Sequence, residues 1–443
     1  MSGRKRIVLA TFGSLGDLHP YIAIALDLAR AGHEPVIATT DYHREAVEVE
    51  GIEFAPMRPS AVEMGDPVEL LQRLFHPTRG PEYLIRDLVM PHVRGAYEDL
   101  DRACTHADLI VTHPLAFTGR LVAEKRAIPW RSTVLSPLSL MSSVDPPLFG
   151  PAPWLLWLRK LGLAPYRAVF GLVKRAVAAW EAPLHALRAD LGLPRMPPAQ
   201  FEGQYAPEGN LALFSSVLAE PASDWPPNTT ICGFPPYDGK RIDAALEREL
   251  DAYLEAGPPP IVFTLGSSVS MFATRFFENA IEAARRLARR AVLVTGQDPS
   301  HYAATITAAG LADGAIKVFR YLPYSKVFPH AALNVHHGGV GTLAHALAAG
   351  KPQLITPVAF DQPDNARRAA RLGLSRAVAF GKLDADRMTA ALRKLLESPS
   401  YTMRAAAVAR IVREEEQEPR AAALLARVAG QRASPPGVLV PQT

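Results

Sequence analysis

Short apolar runs alternate along this chain with longer stretches in which apolar positions recur at helical spacing, and polar or glycine-containing turns separate the two kinds. Arg6–Thr11 reads as a buried strand, Pro20–Ala31 as an amphipathic helix and Glu34–Thr39 as the next strand, which together make one βαβ unit. Asp108–Thr112 and Ser132–Leu135 are later strands of the same half. The pattern restarts at Pro260–Leu265 and continues through Ala291–Thr295, Ala315–Phe319, Leu333–His336 and Gln353–Thr356. This alternation predicts an α/β fold with two mostly parallel sheets.

Between Ala219 and Lys240 the chain carries five prolines and no helical period, which predicts a linker. The expected organisation is therefore a first domain over 1–218, a linker over 219–240, a second domain over 241–405, carboxyl-terminal helices over 406–432 that pack back towards the first domain, and an untethered tail over 433–443. Both halves open alike. A strand runs into Gly13-Ser14-Leu15-Gly16-Asp17 in one, and into Gly266-Ser267-Ser268 in the other. In doubly wound sheets, loops at the carboxyl ends of strands bind ligands, so two such domains facing each other would enclose one cleft.

Composition narrows the function classes. At 443 residues with 48% hydrophobic and 21% charged positions, the chain can bury cores in two or three domains. Its two cysteines, Cys104 and Cys232, support neither a disulfide framework nor a cysteine-based zinc site. The net charge of +4, from 48 basic against 44 acidic residues, and the lack of basic runs interleaved with aromatics argue against nucleic acid. The opening residues do not read as a signal peptide and no run reaches the length of a spanning helix, so a soluble, cytoplasmic protein is expected.

The densest chemical signal is Val335-His336-His337-Gly338-Gly339-Val340-Gly341-Thr342, a strand end passing through glycines into a helical pattern. Glycines admit a ligand close to the backbone, and the following helix offers free N–H groups and a positive dipole end, which suit a diphosphate. Thr342 can add a hydroxyl and His337 a ring N–H. Downstream, a buried strand ends in Asp361-Gln362-Pro363-Asp364-Asn365. Asp361 and Gln362 there can hold vicinal sugar hydroxyls, whereas a bare helix cap is the plainer reading of the acidic residues.

Taken together, His337-Gly-Gly-Val-Gly-Thr342, Pro352, Pro357 and Asp361-Gln362 resemble the donor-binding signature of family 1 glycosyltransferases of the GT-B fold. Tyr321-Leu-Pro323-Tyr324 falls where that family stacks an aromatic on the nucleobase. Gly13-Ser-Leu-Gly-Asp17-Leu-His19-Pro20 resembles the loop of its bacterial and sterol branches, and Ser223-Asp-Trp-Pro with Gly233-Phe-Pro-Pro resembles rhamnolipid rhamnosyltransferases. The resemblance implies two Rossmann-like domains, acceptor-binding first and nucleotide-sugar-binding second. It also implies inverting transfer of a sugar from a UDP- or TDP-sugar to a hydroxyl of a hydrophobic small molecule or lipid, with no metal and no other cofactor. Donor contacts are expected from Ser267, Tyr321, His337, Gly338, Gly339, Gly341, Thr342, Asp361 and Gln362. His345 stands where many uridine-nucleotide users carry a Glu for the ribose, which leaves the nucleotide open.

The family places its catalytic base at Asp17, where a helix dipole would weaken it, and His19 is the rival with the better intrinsic pKa. His113, at a strand end, can line the cleft or orient the base. Apolar positions Tyr166, Val169, Phe170, Val173, Val177 and Trp180 keep helical spacing and read as a packing face. A sharper expectation is that Trp154 and Trp157 wall an acceptor pocket, with Arg159, Lys160, Arg167, Lys174 and Arg175 favouring a carboxylated acceptor or peripheral membrane contact. A monomer or a homodimer is expected on this reading. Two alternatives share the fold: a catalytically silent partner that activates another transferase, and a non-hydrolysing nucleotide-sugar epimerase.

Overall fold

The computed structural model describes residues 3–266, 269, 274–311 and 314–429. Its first sheet is parallel and seven-stranded, in the order β3-β2-β1-β4-β5-β6-β7, formed by β1 (Arg6–Ala10), β2 (Glu34–Thr39), β3 (Glu53–Pro56), β4 (Leu109–Thr112), β5 (Trp130–Val134), β6 (Asn210–Ala212) and β7 (Thr229–Ile231). The second is parallel and six-stranded, in the order β10-β9-β8-β11-β12-β13, formed by β8 (Ile261–Thr264), β9 (Ala291–Val294), β10 (Ile316–Phe319), β11 (Leu333–His336), β12 (Gln353–Ile355) and β13 (Ser375–Ala377). Helices cover both faces, so the central strands β4, β8, β9 and β11 are buried at every position and read as continuous apolar runs.

The strands absent from the sequence reading are short or polar. Glu53–Pro56 and Ser375–Ala377 are edge strands whose partly exposed side chains give no apolar run. Thr229–Ile231 lies inside the stretch expected to be a linker, yet it pairs with Asn210–Ala212 as the last strand of the first sheet. The irregular connection between the sheets therefore begins after Ile231.

The first helix differs from expectation as well. It spans Leu15–Arg30, with Pro20 inside, rather than starting at Pro20. Ser14 caps it, accepting from the Gly16 N–H, while the Asp17 carboxylate reaches back to the Ser14 N–H. This capping box outweighs the proline signal, because it satisfies two orphan donors at once.

In each sheet the strand order reverses beside the first strand, between β1 and β4 and between β8 and β11, and there the crevices open. The helices that leave the two glycine loops, Leu15–Arg30 and Val340–Ala349, pack on one another: Val340 and Ala344 join Leu18 and Ile22 in one buried cluster. The two loops are thereby brought face to face. The helix Arg420–Val428 also returns to the first domain, where Ala421, Ala422 and Leu425 enter that same cluster.

Candidate functional site in the interdomain cleft

On the amino-terminal side, Asp17 sits in the first turn of the helix Leu15–Arg30 rather than ahead of it. Its Oδ2 accepts from the Ser14 N–H at 2.7 Å and the Ser14 hydroxyl at 3.0 Å, and its Oδ1 lies 3.3 Å from His113 Nε2. The Leu115 N–H donates to His113 Nδ1 at 3.1 Å, which assigns the ring proton to Nε2 and makes His113 the donor to Asp17. Burial pushes the Asp17 carboxyl up, but the bonds from His113 and Ser14 outweigh it and hold the group below the usual carboxylate range. Gly13, at φ +137°, makes room: a Cβ there would fall 2.3 Å from Asp17 Oδ2.

His19 occupies a different place. Two residues apart on a helix, Asp17 and His19 point to different sides. His19 packs edge-on against Tyr237, with ring centroids 5.0 Å apart, and a Cβ at Gly239 would lie between its ring and the Tyr321 hydroxyl. Burial, with His345 and His43 nearby, lowers its pKa to about 4, so it is neutral at physiological pH and weakly basic.

On the carboxyl-terminal side, the adjacent histidines divide their tasks. His336 is structural: its Nδ1 accepts from the Gly338 N–H at 3.1 Å and its Nε2 faces Gln353 Oε1 at 3.1 Å. The His337 ring lies between Gly266 and Gly339, where a Cβ would approach it to 2.6 and 2.4 Å. Its Nδ1 is buried with no hydrogen-bond partner among the described residues. Burial and the neighbouring His336 lower the His337 pKa to about 3, so it is a neutral ring. Gly338 is required twice over, by its φ of +87° and by Ile355 at 2.7 Å from a hypothetical Cβ. At Gly341 a Cβ would meet only an ordinary contact with Phe234, so the protein's own packing does not demand glycine there. Thr342 is buried and shares the Tyr324 hydroxyl with Thr264.

Asp361 precedes the helix Gln362–Arg371 without capping it; its Oδ2 accepts from Asn365 Nδ2 at 2.7 Å. Burial, opposed by the Asn365 bond and reinforced by the charge of Asp17, raises the Asp361 pKa to about 7. The two carboxylates thus feel each other across the cleft. Gln362 Oε1 accepts from the Val358 and Ala359 N–H groups, which leaves its NH₂ as the group to offer a ligand. Tyr321 donates its hydroxyl to the Asp238 carbonyl, and His345 Nε2 faces the Tyr237 carbonyl at 3.4 Å, so the connection between domains lies over both expected nucleoside contacts. Ser267 lies outside the described residues. Among those described, no group of three or more His, Cys, Asp or Glu side chains is placed to hold a metal ion, and no helix is long and apolar enough to cross a membrane.

The tryptophans depart from expectation. Trp154 and Trp157 are 53% and 58% exposed. The apolar cluster of their segment is made instead by Leu155, Tyr166, Phe170 and Phe201, so these tryptophans wall no enclosed pocket. The helix Leu163–Ala178 carries the predicted packing face, with Val169, Val173 and Val177 against that cluster.

Residues 7–141 match the glycosyltransferase family 28 N-terminal domain, and residues 303–428 match the C-terminal domain described as erythromycin biosynthesis protein CIII-like. The chain is 31% identical to O-mycaminosyltylonolide 6-deoxyallosyltransferase of Streptomyces fradiae over 442 residues, covering 95% of this chain and 96% of that protein. The chain belongs to the GT-B glycosyltransferases. Among solved structures, the glycosyltransferase of kitacinnamycin shares the fold at a TM-score of 0.68 and 23% identity, covering 96% of this chain and 100% of that one. Spinosyn rhamnosyltransferase SpnG, solved with thymidine diphosphate, does so at a TM-score of 0.67 and 18% identity, covering 96% and 99%.

In this glycosyltransferase the sequence reading missed His43, Asn365 and Tyr324. His43 Nε2 donates to the Gly13 carbonyl at 2.9 Å and so holds the loop that leads to Asp17. It follows the carboxyl end of β2, the same kind of position that marked His113. Asn365 donates to both Asp361 and the Gly338 carbonyl, tying the acidic loop to the glycine loop. Its place one helical turn after Asp361 was the available signal. Tyr324 stood in the Tyr321–Tyr324 motif without a role of its own, and only the fold brings it to Thr264 and Thr342.

Proposed function

We propose that this glycosyltransferase moves a sugar, with inversion and without a metal, from a TDP- or UDP-sugar to a hydroxyl of a hydrophobic natural product or lipid. Asp17 takes the acceptor's proton. The acceptor oxygen then bonds to the anomeric carbon as the bond from that carbon to the diphosphate oxygen breaks. The leaving diphosphate is met by the amino end of the helix Val340–Ala349 and the neutral His337, and the sugar by Asp361 and the Gln362 NH₂.

The observation that carries this reading is the opposition of Asp17, held by His113 and Ser14, to Asp361 across one cleft. It favours Asp17 over His19 as base. His19 faces the connecting segment rather than Asp361, and burial, which brings its pKa down to about 4, removes most of an imidazole's usual basicity. An ionised Asp17 is a modest base in solution terms, and it is effective here by position rather than by pKa. The thymidine diphosphate in the spinosyn rhamnosyltransferase structure supports a TDP-sugar as the first donor to try, and the deoxyallosyltransferase relative supports a deoxysugar on it.

Thermal unfolding with TDP, UDP, GDP and ADP tests the donor side. TDP or UDP alone is expected to raise Tm by a few degrees at about 100 times its Kd. With the sugar nucleotide so chosen, Asp17→Asn is expected to lower kcat by about 10²- to 10⁴-fold while leaving that stabilisation intact. Full activity of Asp17→Asn would remove Asp17 as base. Stabilisation by no nucleotide would favour the catalytically silent reading.

A further inference from the structure

Trp154, Trp157 and Leu161 are spaced three and then four residues apart over the helix Trp154–Leu158 and the turn Arg159–Leu161, so they form one stripe. Leu155 and Leu158 of the same segment are its inward members, packed in the apolar cluster with Tyr166 and Phe170. The stripe points away from the protein: its three side chains are 53%, 58% and 59% exposed. Large apolar side chains of this kind are normally scattered singly on a soluble surface, and a run of three is not.

Along the segment that carries the stripe, the charge has one sign. From Asp145 to Glu181 the chain contains no acidic residue between those two, whereas Arg159, Lys160, Arg167, Lys174 and Arg175 all fall within it. Two of these cations are engaged by the protein, Arg159 with the Ser143 carbonyl and Lys174 with Glu202. Lys160, Arg167 and Arg175 are exposed and, among the described residues, take part in no ion pair.

We propose that this face docks on an anionic lipid surface, with Trp154, Trp157 and Leu161 entering the headgroup boundary and Lys160, Arg167 and Arg175 lying over the lipid phosphates. Indole rings settle at such a boundary because one edge is apolar and the N–H stays wet. Exposed cations that take part in no ion pair complement a negative surface, and each adds a factor of about five to the partition coefficient. An acidic protein would satisfy the cations but gives no reason for two exposed tryptophans and a leucine on one stripe. The stripe lies in the domain read as acceptor-binding, and docking there would bring that domain to a membrane-dissolved acceptor. The docking itself does not depend on the catalytic reading.

The test is co-sedimentation of the full chain with vesicles of phosphatidylcholine alone and of phosphatidylcholine with 30% phosphatidylglycerol. Binding to the anionic vesicles is expected, weaker at high salt, with at most weak binding to the neutral ones. Lys160→Glu, Arg167→Glu and Arg175→Glu combined are expected to reduce it by about 100-fold or more, and Trp154→Ser with Trp157→Ser by at least tenfold. Both variants should keep the wild-type Tm and the nucleotide-induced shift, since the side chains are exposed and distant in sequence from the donor loop. Failure to bind anionic vesicles, or equal binding by either variant, overturns the proposal. So does a wild-type dimer that the tryptophan variant converts to a monomer in light scattering, because the stripe would then be a contact between copies of the chain.

Discussion

Asp17 serves two masters: it completes the helix cap with Ser14 and it faces the cleft beside His113. Removing the Ser14 hydroxyl withdraws one donor from the carboxylate, and replacing His113 withdraws another. Ser14→Ala should therefore cost about 1 kcal/mol of stability as a lost cap, and both Ser14→Ala and His113→Leu should move the acid limb of the kcat/KM profile to higher pH, because a carboxylate with fewer donors binds its proton more readily. A Tm loss with an unmoved limb would make His113 a packing residue only. Asp361 runs the other way. Its folded pKa of about 7 exceeds the 3.8 of an ordinary aspartate, so the folded state keeps a proton that the unfolded chain releases as pH rises from about 4 to 7, and stability falls across that window. Asp361→Asn removes the penalty. Its Tm should exceed wild type by several degrees at pH 8 and match it closely at pH 4.5. Transfer activity should fall in the same variant, as expected where a site is held at the expense of stability.

The helix Gln362–Arg371 does more than present Asp361 and Gln362. Asp364, fully buried, accepts from the Leu148 N–H at 2.9 Å and from Arg368 Nε at 2.7 Å, while Arg367 donates to the Pro146 carbonyl at 2.9 Å and Arg368 pairs with Asp145. Asp224 holds the other end of that loop through Ser142 and the Ser143 N–H, each at 2.6 Å. The loop Ser142–Leu148 of the first domain is thus stitched to the helix that opens at the proposed sugar site. Cutting a buried ionic network from one side leaves a charge without its partner, so Asp364→Ala should cost about 3 kcal/mol in urea unfolding. Asp145, which is part exposed and shares Arg368 with Asp364, should cost less as Asp145→Ala and raise the acceptor KM more than the donor KM.

Across the chain, the two domains are joined by a shared core as well as by their connection. Leu425, from the last described helix, is buried among Ile7, Leu9 and Ile22 of the first domain. Leu425→Ala should cost about 2–5 kcal/mol, and hydrogen exchange should show the loss in the first domain, not in the second where the helix's sequence neighbours lie. The parallel strands and the two glycine loops were legible from the chain because they rest on local patterns: buried strands as apolar runs, and ligand loops as glycines at strand ends. The candidates Asp17, Asp361 and Gln362 stood out through the resemblance to family 1 glycosyltransferases, since an acidic residue at a helix start reads locally as a cap. The start of the helix Leu15–Arg30 was misplaced because a capping box competes with Pro20, and only the folded loop shows which prevails. Thr229–Ile231 read as linker because an edge strand draws its stability from a neighbour rather than from its own composition. Trp154 and Trp157 gave no hint of direction, since the face of a short helix that turns inward depends on where Tyr166, Phe170 and Phe201 gather from elsewhere in the chain. Local periodicity and loop chemistry thus set the strands, the fold class and the kind of site. The meeting of Asp17 with His113 and of its charge with Asp361, and the outward turn of the tryptophans, depend on long-range packing between residues far apart in the chain, and short-range pattern carries no record of it.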